Sequence, residues 1–347
     1  MTVFTGAEVA EDGVYRPILR PRRGELAALH HLDAAAARRV TPLVEAAPTE
    51  RLLPLVRQLP PRTGAIAVDL GAVPDPTDPL RSPPLDLAED LAALGVAMLP
   101  VLRAYDSRRR LVENGLAARM HLMRAVLRLQ PHVDVRTAAD ATATTGRLLA
   151  GAGLEAEHVD LLIDLAETAC AAHADEFEER ARHVLRWARA TPWRSVTVAA
   201  GAMPPNLDDL PTDEPVTVGR LDARMWSRLC EPGVGYADYG VTSPVRRYGI
   251  NHRQLPTLRY TAERDWWIYR WARRGGRSDD RCADLCRTLV SSPHWPAAGA
   301  RFSWGDAEIA RRARSARGGG SPASWMAWST SHHIAHVLET LDRPSAA

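Results

Sequence analysis

Charged residues stand at the ends of several short apolar runs in this sequence. Six runs have a charged residue at their last or next-to-last position, namely Arg20, Glu45, Asp69, Arg103, Arg128 and Asp164, and Asp238 is near the end of a further run. In each of the six, the residue two positions earlier is apolar, as Val126 is before Arg128. Side chains alternate between the two faces of a β-strand, so each charge shares a face with an apolar, buried side chain. The pattern predicts a ring of charges that caps the core of a barrel.

The ring admits two roles, and the residue types leave both open. Arginines can hold an anionic group while a carboxylate of Glu45, Asp69 or Asp164 acts as a catalytic base. Carboxylates from three strands could also bind Mg²⁺, whereas the scarcity of histidine at the strand ends argues against zinc. Alternatively the ring is structural, because buried ions are costly to desolvate and must pair. With Asp238 included, the set has three arginines and four carboxylates, which is close to the neutrality that pairing requires.

Further polar residues accompany this ring. The first run continues into Arg22 and Arg23, which we expect at the mouth of the barrel, where they either bind a phosphate or face solvent. Ser303, Trp304 and Asp306 belong to a block with the spacing of a helix capping box, a serine followed three residues later by an acid. All five are binding candidates, although capping alone explains the serine and the acid.

His332 and His333 lie in a segment with helical character near the end of the chain. His332 and His336 are four residues apart and share a helix face, which is the spacing of a two-histidine metal site. No glutamate follows the first histidine, so the zinc-protease motif is absent and no metal ligand is assigned. We keep His332 and His333 as catalytic candidates, with hydrogen-bonded core histidines as the alternative. No Gly-x-Ser-x-Gly sequence indicates a serine hydrolase.

Eight runs have the length and composition of buried strands. They are Tyr15–Arg20, Val40–Glu45, Gly64–Leu70, Ala97–Arg103, Met123–Leu129, Val159–Leu165, Ser195–Gly201 and Val234–Gly240. Runs that are apolar throughout indicate strands covered on both faces, as in parallel sheets with helices outside. They recur about every 25 to 40 residues and end near residue 240, which fits an eight-stranded barrel of about 250 residues. We predict an α/β fold, a (β/α)8 TIM-like barrel.

Segments of helical character separate the runs. We predict helices over Glu25–Arg39, Glu50–Leu59, Leu85–Leu94, Arg109–Arg119, Thr137–Leu149, Glu167–Ala190 and Val218–Cys230. An open, doubly wound sheet is the alternative architecture. It is disfavoured because no Gly-x-Gly-x-x-Gly loop follows the first strand, and the sequence carries no nucleotide-cofactor motif.

The alternation of strands and helices stops after residue 244. Leu258–Thr261 and Trp266–Trp271 predict a β-hairpin, and helices follow at Asp279–Val290, Gly305–Ser315 and Pro322–Leu341, the last with Ser321 as its N-cap. We therefore divide the chain into a barrel, residues 1–244, and a tryptophan-rich extension, residues 245–347, packed on the barrel. We expect the extension to cover the barrel mouth and to bring Ser303, Trp304, Asp306, His332 and His333 to the ring.

Composition argues against several classes of protein. All 44 basic residues are arginine and the formal net charge is only +2, so overall charge does not indicate nucleic-acid binding. The four cysteines form no Cys-x-x-Cys pair, and we interpret them as reduced. No run approaches the roughly 18 apolar residues of a membrane-spanning helix, and residues 1–13 lack a secretory signal. We expect a soluble, cytoplasmic protein without membrane association.

Short blocks along the chain resemble the beta family of bacterial and satellite-phage proteins. The blocks are Tyr15–Arg20, Arg23–Glu25, Thr41–Glu45, Arg259–Thr261, Trp266–Arg270, Phe302–Asp306 and His332–Ile334. Ser331 departs from the family pattern, which has asparagine before the two histidines. The resemblance implies a place in anti-phage defence cassettes, in which a beta protein accompanies a potentially toxic partner, and it implies no established reaction.

Two functions stand as hypotheses. In the first, the protein recognises or restrains a protein partner encoded nearby, a toxin or another defence component, through the charged barrel mouth. In the second, it is a hydrolase or phosphodiesterase that acts on a phosphorylated small molecule or a nucleic acid at the C-terminal face of the barrel. An open, arginine-lined pocket beside Glu45 and Asp69 would favour the hydrolase, and a mouth filled with side chains would disfavour it. Either function allows an anionic ligand.

Overall fold

Eight parallel strands close into a barrel in the computed structural model, which describes residues 15–47, 64–168, 174–245, 254–272, 281–315 and 320–343. The strands are β1 (Tyr15–Leu19), β2 (Leu43–Glu45), β3 (Ala65–Asp69), β4 (Ala97–Arg103), β5 (Ala125–Leu129), β6 (Val159–Glu167), β7 (Ser195–Gly201) and β9 (Val234–Asp238). Each pairs with the next, and β9 pairs with β1 to close the circle. All eight predicted runs are strands. The barrel prediction is therefore confirmed, and the open sheet is excluded.

Helices surround the barrel, and three of the predicted helices differ from the structure. The helices are α1 (Arg23–His30), α2 (Ala34–Arg39), α3 (Pro83–Ala93), α4 (Arg108–Met120), α5 (Ala138–Ala152), α6 (Ala174–Ala188) and α7 (Leu221–Leu229). The helix predicted to begin at Glu167 is wrong at its start, because β6 extends to Glu167 and the described helix runs from Ala174. The single helix predicted from Glu25 to Arg39 is split in two, because the Asp33 carboxylate accepts hydrogen bonds from two backbone N–H groups and starts α2. The helix predicted at Glu50–Leu59 lies outside the described residues.

A separate three-stranded antiparallel sheet forms beside the barrel. It contains β8 (Pro215–Gly219), β10 (Thr257–Thr261) and β11 (Asp265–Arg270), in the order β10-β11-β8. The predicted hairpin is thus confirmed. The predicted start of a helix at Val218 is wrong, because Val218 pairs with Trp266 of β11 and the helix begins at Leu221. One strand of this sheet therefore comes from the barrel part of the sequence.

The last helix of the chain completes the helical layer of the barrel. The helices of the extension are α8 (Cys282–Val290), α9 (Trp304–Arg314) and α10 (Pro322–Asp342). As predicted, the Ser321 side chain caps α10 by accepting from the backbone N–H of Ser324. Ile334 and Val337 of α10 join a buried cluster with Tyr15 and Leu19 of β1. Thus α10 occupies the outer side of the barrel wall, where the helix after the eighth strand belongs in this fold.

The barrel lumen is filled by alternate residues of the strands. The luminal cluster includes Ile18, Leu43, Ala67, Val101, Val126, Leu162, Ala199, Ala237 and Tyr239. Their neighbours along the strands, among them Leu19, Val44, Val68 and Tyr236, pack outward against the helices. Period two then places all six strand-end charges of the first six strands on the luminal side, as the sequence predicted.

Close packing of α9 on α10 depends on Gly305. A Cβ atom at this position would lie 2.2 Å from the carbonyl oxygen of Trp328, so Gly305→Ala must push the two helices apart. We expect this change to lower the free energy of unfolding by about 1 to 3 kcal/mol in urea titrations. The control is Gly146→Ala in α5, where nothing lies within 4 Å of the added atom and a gain of about 0.5 to 1 kcal/mol is expected. Equal effects of the two changes would contradict the packing argument.

Candidate functional site

Arg128 lies at the centre of the ring and uses every hydrogen-bond donor of its guanidinium. Its Nε and Nη2 atoms donate to Asp164 Oδ2 at 2.9 and 2.7 Å. Its Nη1 atom donates to Glu45 Oε1 at 2.8 Å and to Asp69 Oδ2 at 2.7 Å, and Nη2 also donates to the Tyr239 hydroxyl at 2.7 Å. A guanidinium has five N–H groups, so no donor of Arg128 is left for a ligand.

Arg103 extends this network toward the rim of the barrel. Its Nη1 atom donates to Asp69 Oδ2 at 3.2 Å, and its Nη2 atom donates to Gln130 Oε1. Burial alone would raise the pKa values of Asp69 and Asp164, but Arg103 and Arg128 outweigh it and hold both values below the ordinary one. The carboxylates are therefore ionised and matched to the arginines.

The structure thus brings Glu45, Asp69, Arg103, Arg128 and Asp164 together, as predicted. Arg128 is 2% exposed and Asp164 is 0% exposed, so the ring forms a closed plug of side chains. The guanidinium of Arg128 occupies the point between the carboxylates where a Mg²⁺ ion would have to bind. Within the described ranges, no group of three histidine, cysteine, aspartate or glutamate side chains is arranged to hold a metal ion.

Asp238 does not belong to this ring, and its inclusion in the sequence prediction was wrong. It shares strand parity with Tyr236, which faces outward, whereas Ala237 and Tyr239 face the lumen. Tyr239 takes the luminal place and donates its hydroxyl to Asp164 at 2.8 Å. The Asp238 side chain points to the other side of the wall, toward α10.

On that outer side, Asp238 accepts four hydrogen bonds. The donors are the Tyr15 hydroxyl at 2.6 Å, the Tyr236 hydroxyl at 2.9 Å, the Gly240 backbone N–H at 2.9 Å and His333 Nε2 at 2.8 Å. Burial lowers the pKa of His333, although Asp238 opposes that shift, so the imidazole is neutral. Its Nδ1 atom then accepts from the Thr261 hydroxyl at 2.9 Å. This cluster, the Asp238–His333 latch, joins the barrel wall to α10 and β10.

His332 lies in a second buried cluster within the extension. Its Nδ1 atom is 3.0 Å from Asp306 Oδ2, and its Nε2 atom is 2.9 Å from the Thr261 carbonyl oxygen. Both partners are oxygen atoms that accept hydrogen bonds, so His332 joins α10 to Asp306 of α9 and to Thr261 of β10. Asp306 also accepts from the Tyr260 hydroxyl at 2.6 Å and from Ser303. Ser303 caps α9 as the capping-box spacing predicted.

The extension does not carry these residues over the barrel mouth, so that expectation was wrong. His333 is 0% exposed behind the outer face of β9, and Asp306 is 0% exposed between α9, α10 and β10. Trp304 stacks on His31, with ring centroids 3.8 Å apart, and so fixes α9 to the end of α1. The physical reason is that α10 is the eighth barrel helix, which must pack against the wall and not across its end.

A pocket of about 630 Å³ opens at the C-terminal face between the barrel and the extension. The loops that follow β1, β7 and β9 form one side, and β10, β11 and the start of α10 form the other. Four arginines line it: Arg20, Arg22, Arg259 and Arg270. Arg270 is paired with Asp208, at 2.8 Å, and Arg20 donates to the carbonyl oxygens of Ser243 and Val245. Arg23 is exposed and is not part of the lining.

Arg22 and Arg259 make no ion pair with any described residue. Arg22 is exposed at the pocket, and the Nε atom of Arg259 is buried without a hydrogen-bond acceptor among the described residues. Burial, together with the nearby charges of Arg22 and Arg20, lowers the pKa of Arg259 to about 10, against the opposing effect of Glu25. The pocket therefore concentrates positive charge that forms no ion pair within the described part of the chain.

Sequence reasoning missed two arginine sites. Arg259 was named only within a block of family resemblance, and its alternation with buried Leu258 and Tyr260 in β10 was the available signal. At the opposite end of the lumen, Asp160 accepts from Arg16 and Arg124, each at 2.9 Å. This second plug involves residues at strand starts, which lie away from the face where barrel enzymes carry their chemistry.

Comparison with known proteins agrees with the architecture. A family model described as Beta protein matches residues 15–339. The chain belongs to the beta protein family. The matched residues include both plugs, the latch and the pocket of this protein. No curated protein matches the sequence.

Among solved structures, the triosephosphate isomerase of Bartonella henselae is similar at 13% identity, covering 64% of this chain and 90% of that chain with a TM-score of 0.35. That likeness carries no argument about function, and the barrel assignment rests on the strand order itself. Within the described part of this beta family member, no helix is both long and apolar enough to cross a membrane.

Proposed function

We propose that this beta family protein is a recognition protein that binds an anionic group in the arginine-lined pocket, and that it does so as part of an anti-phage defence cassette. The observation that carries the proposal is the pair Arg22 and Arg259, two cations at one pocket without an ion-pair partner among the described residues. Guanidinium groups recognise carboxylates and phosphates through paired hydrogen bonds. A pocket of about 630 Å³ lies within the size range of ligand sites.

The geometry of the barrel mouth supports recognition over hydrolysis there. The hydrolase hypothesis requires Arg103 and Arg128 to face a ligand beside Glu45 and Asp69. Instead, Arg128 donates all five of its N–H groups to protein acceptors, and Asp69 accepts hydrogen bonds from both Arg103 and Arg128. A substrate phosphate could enter only by breaking these buried ion pairs, each of which is costly to leave incomplete. We therefore place the recognition site beside the plug and not within it.

Membership of the beta family favours a protein as the partner that this pocket binds. The resemblance implies a potentially toxic partner encoded nearby, and we propose that the partner, or a small anion that signals infection, is what the pocket recognises. A partner with an acidic group at its tip suits this pocket, because the cations lie at its wall and long-range attraction speeds the encounter. Association of the two purified proteins that weakens as salt rises from 50 to about 300 mM is the expected behaviour.

The pocket itself is tested with a defined anion. We expect inorganic phosphate to bind the full chain in calorimetric titrations, and we expect the double variant Arg22→Gln, Arg259→Gln to bind about tenfold more weakly or worse, because charge-assisted hydrogen bonds are lost. Arg301→Gln, which removes one charge from an exposed site outside the pocket, is the control and should bind as the wild type does. Undiminished binding by the double variant would reject the pocket as the site.

Activity assays separate recognition from hydrolysis. The full chain should release no p-nitrophenol from p-nitrophenyl phosphate or from its diester, with and without Mg²⁺. Release that disappears in Asp69→Asn, with the fold retained, would instead restore the hydrolase hypothesis at the mouth.

A further inference from the structure

Glu25 is a buried carboxyl group immediately behind the pocket arginines. It lies in the first turn of α1, is 0% exposed and accepts from the Arg20 backbone N–H at 2.7 Å through Oε2. Its other oxygen, Oε1, has no hydrogen-bond partner among the described residues. The preceding residue, Gly24, lies so close to α10 that an added Cβ would be 2.6 Å from the Ala323 carbonyl oxygen. Glu25 is therefore held rigidly beside the pocket.

The charges that face Glu25 come from three elements. Arg20 and Arg22 belong to its own loop, Glu45 to β2 and Arg259 to β10. The part of α10 that reaches the pocket contributes Trp325, Met326 and Ser329 and no charged group. Burial raises the pKa of Glu25 to about 7, the two loop arginines act against that rise, and Glu45 adds to it. Near neutral pH the carboxyl group thus gains or loses its proton readily.

We propose that the pocket binds the phosphate group of a phosphorylated organic ligand of about nucleotide size, and that Glu25 takes up a proton as the phosphate binds. This inference rests on the proposed anion recognition and names its ligand class. The dianion would lie against Arg22 and Arg259, with Arg20 behind them. The proton comes from solvent and is held on the Glu25 carboxyl group.

The size of the ligand follows from the pocket beyond the arginines. A phosphate group alone would leave most of the 630 Å³ unfilled. The remaining lining combines the apolar side chains of Leu207 and Met326 with the amides of Asn206 and Gln254. Apolar walls with a few amide groups suit an organic body that carries its own donors and acceptors.

The proton uptake follows from the charges. While the pocket is empty, an ionised Glu25 offsets part of the arginine charge. A bound dianion neutralises the same arginines and repels the carboxylate, so the protonated form of Glu25 becomes favoured. By linkage, a ligand that raises the affinity of Glu25 for a proton is itself bound more tightly when that proton is present.

Sulfate isolates this effect, because sulfate keeps both charges between pH 6 and 8. We expect the wild-type chain to bind sulfate about fivefold or more weakly at pH 8 than at pH 6, which corresponds to a pKa increase of about one unit or more for Glu25. Glu25→Gln keeps the carbonyl acceptor for Arg20 and cannot ionise. It should bind with the same affinity at both pH values and at least about fivefold more tightly than wild type at pH 8. A gain of affinity cannot result from misfolding.

The outcomes distinguish the inference from the proposed function. Binding that depends on Arg259 but is equal at pH 6 and pH 8 in the wild type overturns the role of Glu25 and leaves anion recognition standing. Absence of binding by sulfate and phosphate at either pH overturns both. Adenosine monophosphate should bind about tenfold or more tightly than inorganic phosphate, and equal affinities would overturn the assignment of the organic part.

Discussion

Replacing Arg128 with methionine is expected to lower the free energy of unfolding at pH 7 by about 3 to 5 kcal/mol. The change keeps much of the aliphatic volume but removes the cation from Glu45, Asp69 and Asp164, which then lie close together in a plug that Arg128 itself filled. The cost arises chiefly from buried carboxylates that lose their counter-charge. Urea unfolding monitored by tryptophan fluorescence gives the measurement.

The pH dependence identifies the cause of this destabilisation. The folded-state pKa values of Asp69 and Asp164 are lowered, so their contribution to stability is present above the unfolded value near 4 and is lost as the pH falls below it. Without Arg128, burial and mutual repulsion raise the pKa values of these carboxylates in the folded variant, so the variant regains stability as they take up protons. The gap between wild type and variant should therefore shrink as the pH falls from 7 toward 4, and shrink further below 4, where the wild type loses its own contribution. Arg103→Met, which removes contacts to one carboxylate, should cost less at every pH. A gap that stays constant with pH would indicate a packing defect and would contradict the electrostatic explanation.

The ring could be predicted from the alternation of side chains along each strand and the parallel arrangement of the strands in a barrel. Six strands place a charge two residues after an apolar residue, and parallel barrel strands carry both residues on one face, so spacing alone assembled Glu45, Asp69 and Arg128. The same spacing rule did not assign Asp238 to the correct face, because the preceding residues Tyr236 and Ala237 are both apolar in character and both buried. In a strand that is covered on both faces, hydrophobicity does not reveal which face is the lumen.

The latch and the pocket could not be predicted, because they depend on contacts distant in sequence. The helix that packs behind β9 is α10, which begins more than 80 residues later in the sequence, after the hairpin, α8 and α9. Likewise β8 is a short strand between a proline and α7, and its partner β11 lies about 50 residues further on. The β-branched residues Val216, Thr217 and Val218 suit a strand, but the local sequence does not reveal that this strand pairs with Trp266 and its neighbours.

One helix serves both the stability of the barrel and the geometry of the pocket. The Ser329 hydroxyl on α10 accepts from the backbone N–H of Arg259 at 3.1 Å, and Arg259 Nη1 contacts Met326 Sδ at 3.6 Å. One turn further along α10, His333 bonds Thr261 of the same strand and Asp238 of the barrel. The latch therefore fixes β10, and with it Arg259, relative to the arginines of the β1 loop.

Asp238→Ala is expected to lower the free energy of unfolding by about 3 to 5 kcal/mol, because it removes the common acceptor of four buried donors. Asp238→Asn should cost clearly less. Its carbonyl oxygen can still accept from Tyr15 and Gly240, and its amide can donate to His333 Nε2 once the imidazole changes tautomer and donates from Nδ1 to Thr261. Both variants keep the plug, so any difference between them reports on the latch. Equal losses in urea unfolding would show that the negative charge matters and the hydrogen bonds do not.

The stability of the protein below pH 6.5 tests whether the His333 imidazole is neutral in the folded state. Because the folded-state pKa of His333 is lowered, unfolding takes up a proton below the unfolded value near 6.5, and the stability that the neutral imidazole provides falls as the pH drops through that value. His333→Ala should therefore have a shallower decline between pH 6.5 and 5 than wild type, by up to about 1.4 kcal/mol per pH unit. The latch also orients Arg259, so His333→Ala should weaken phosphate binding at pH 7.5, measured on protein whose circular dichroism matches that of the wild type. Parallel stability profiles for the two proteins would mean that folding does not lower the pKa of His333, and the tautomer argument for Asp238→Asn would fail with it.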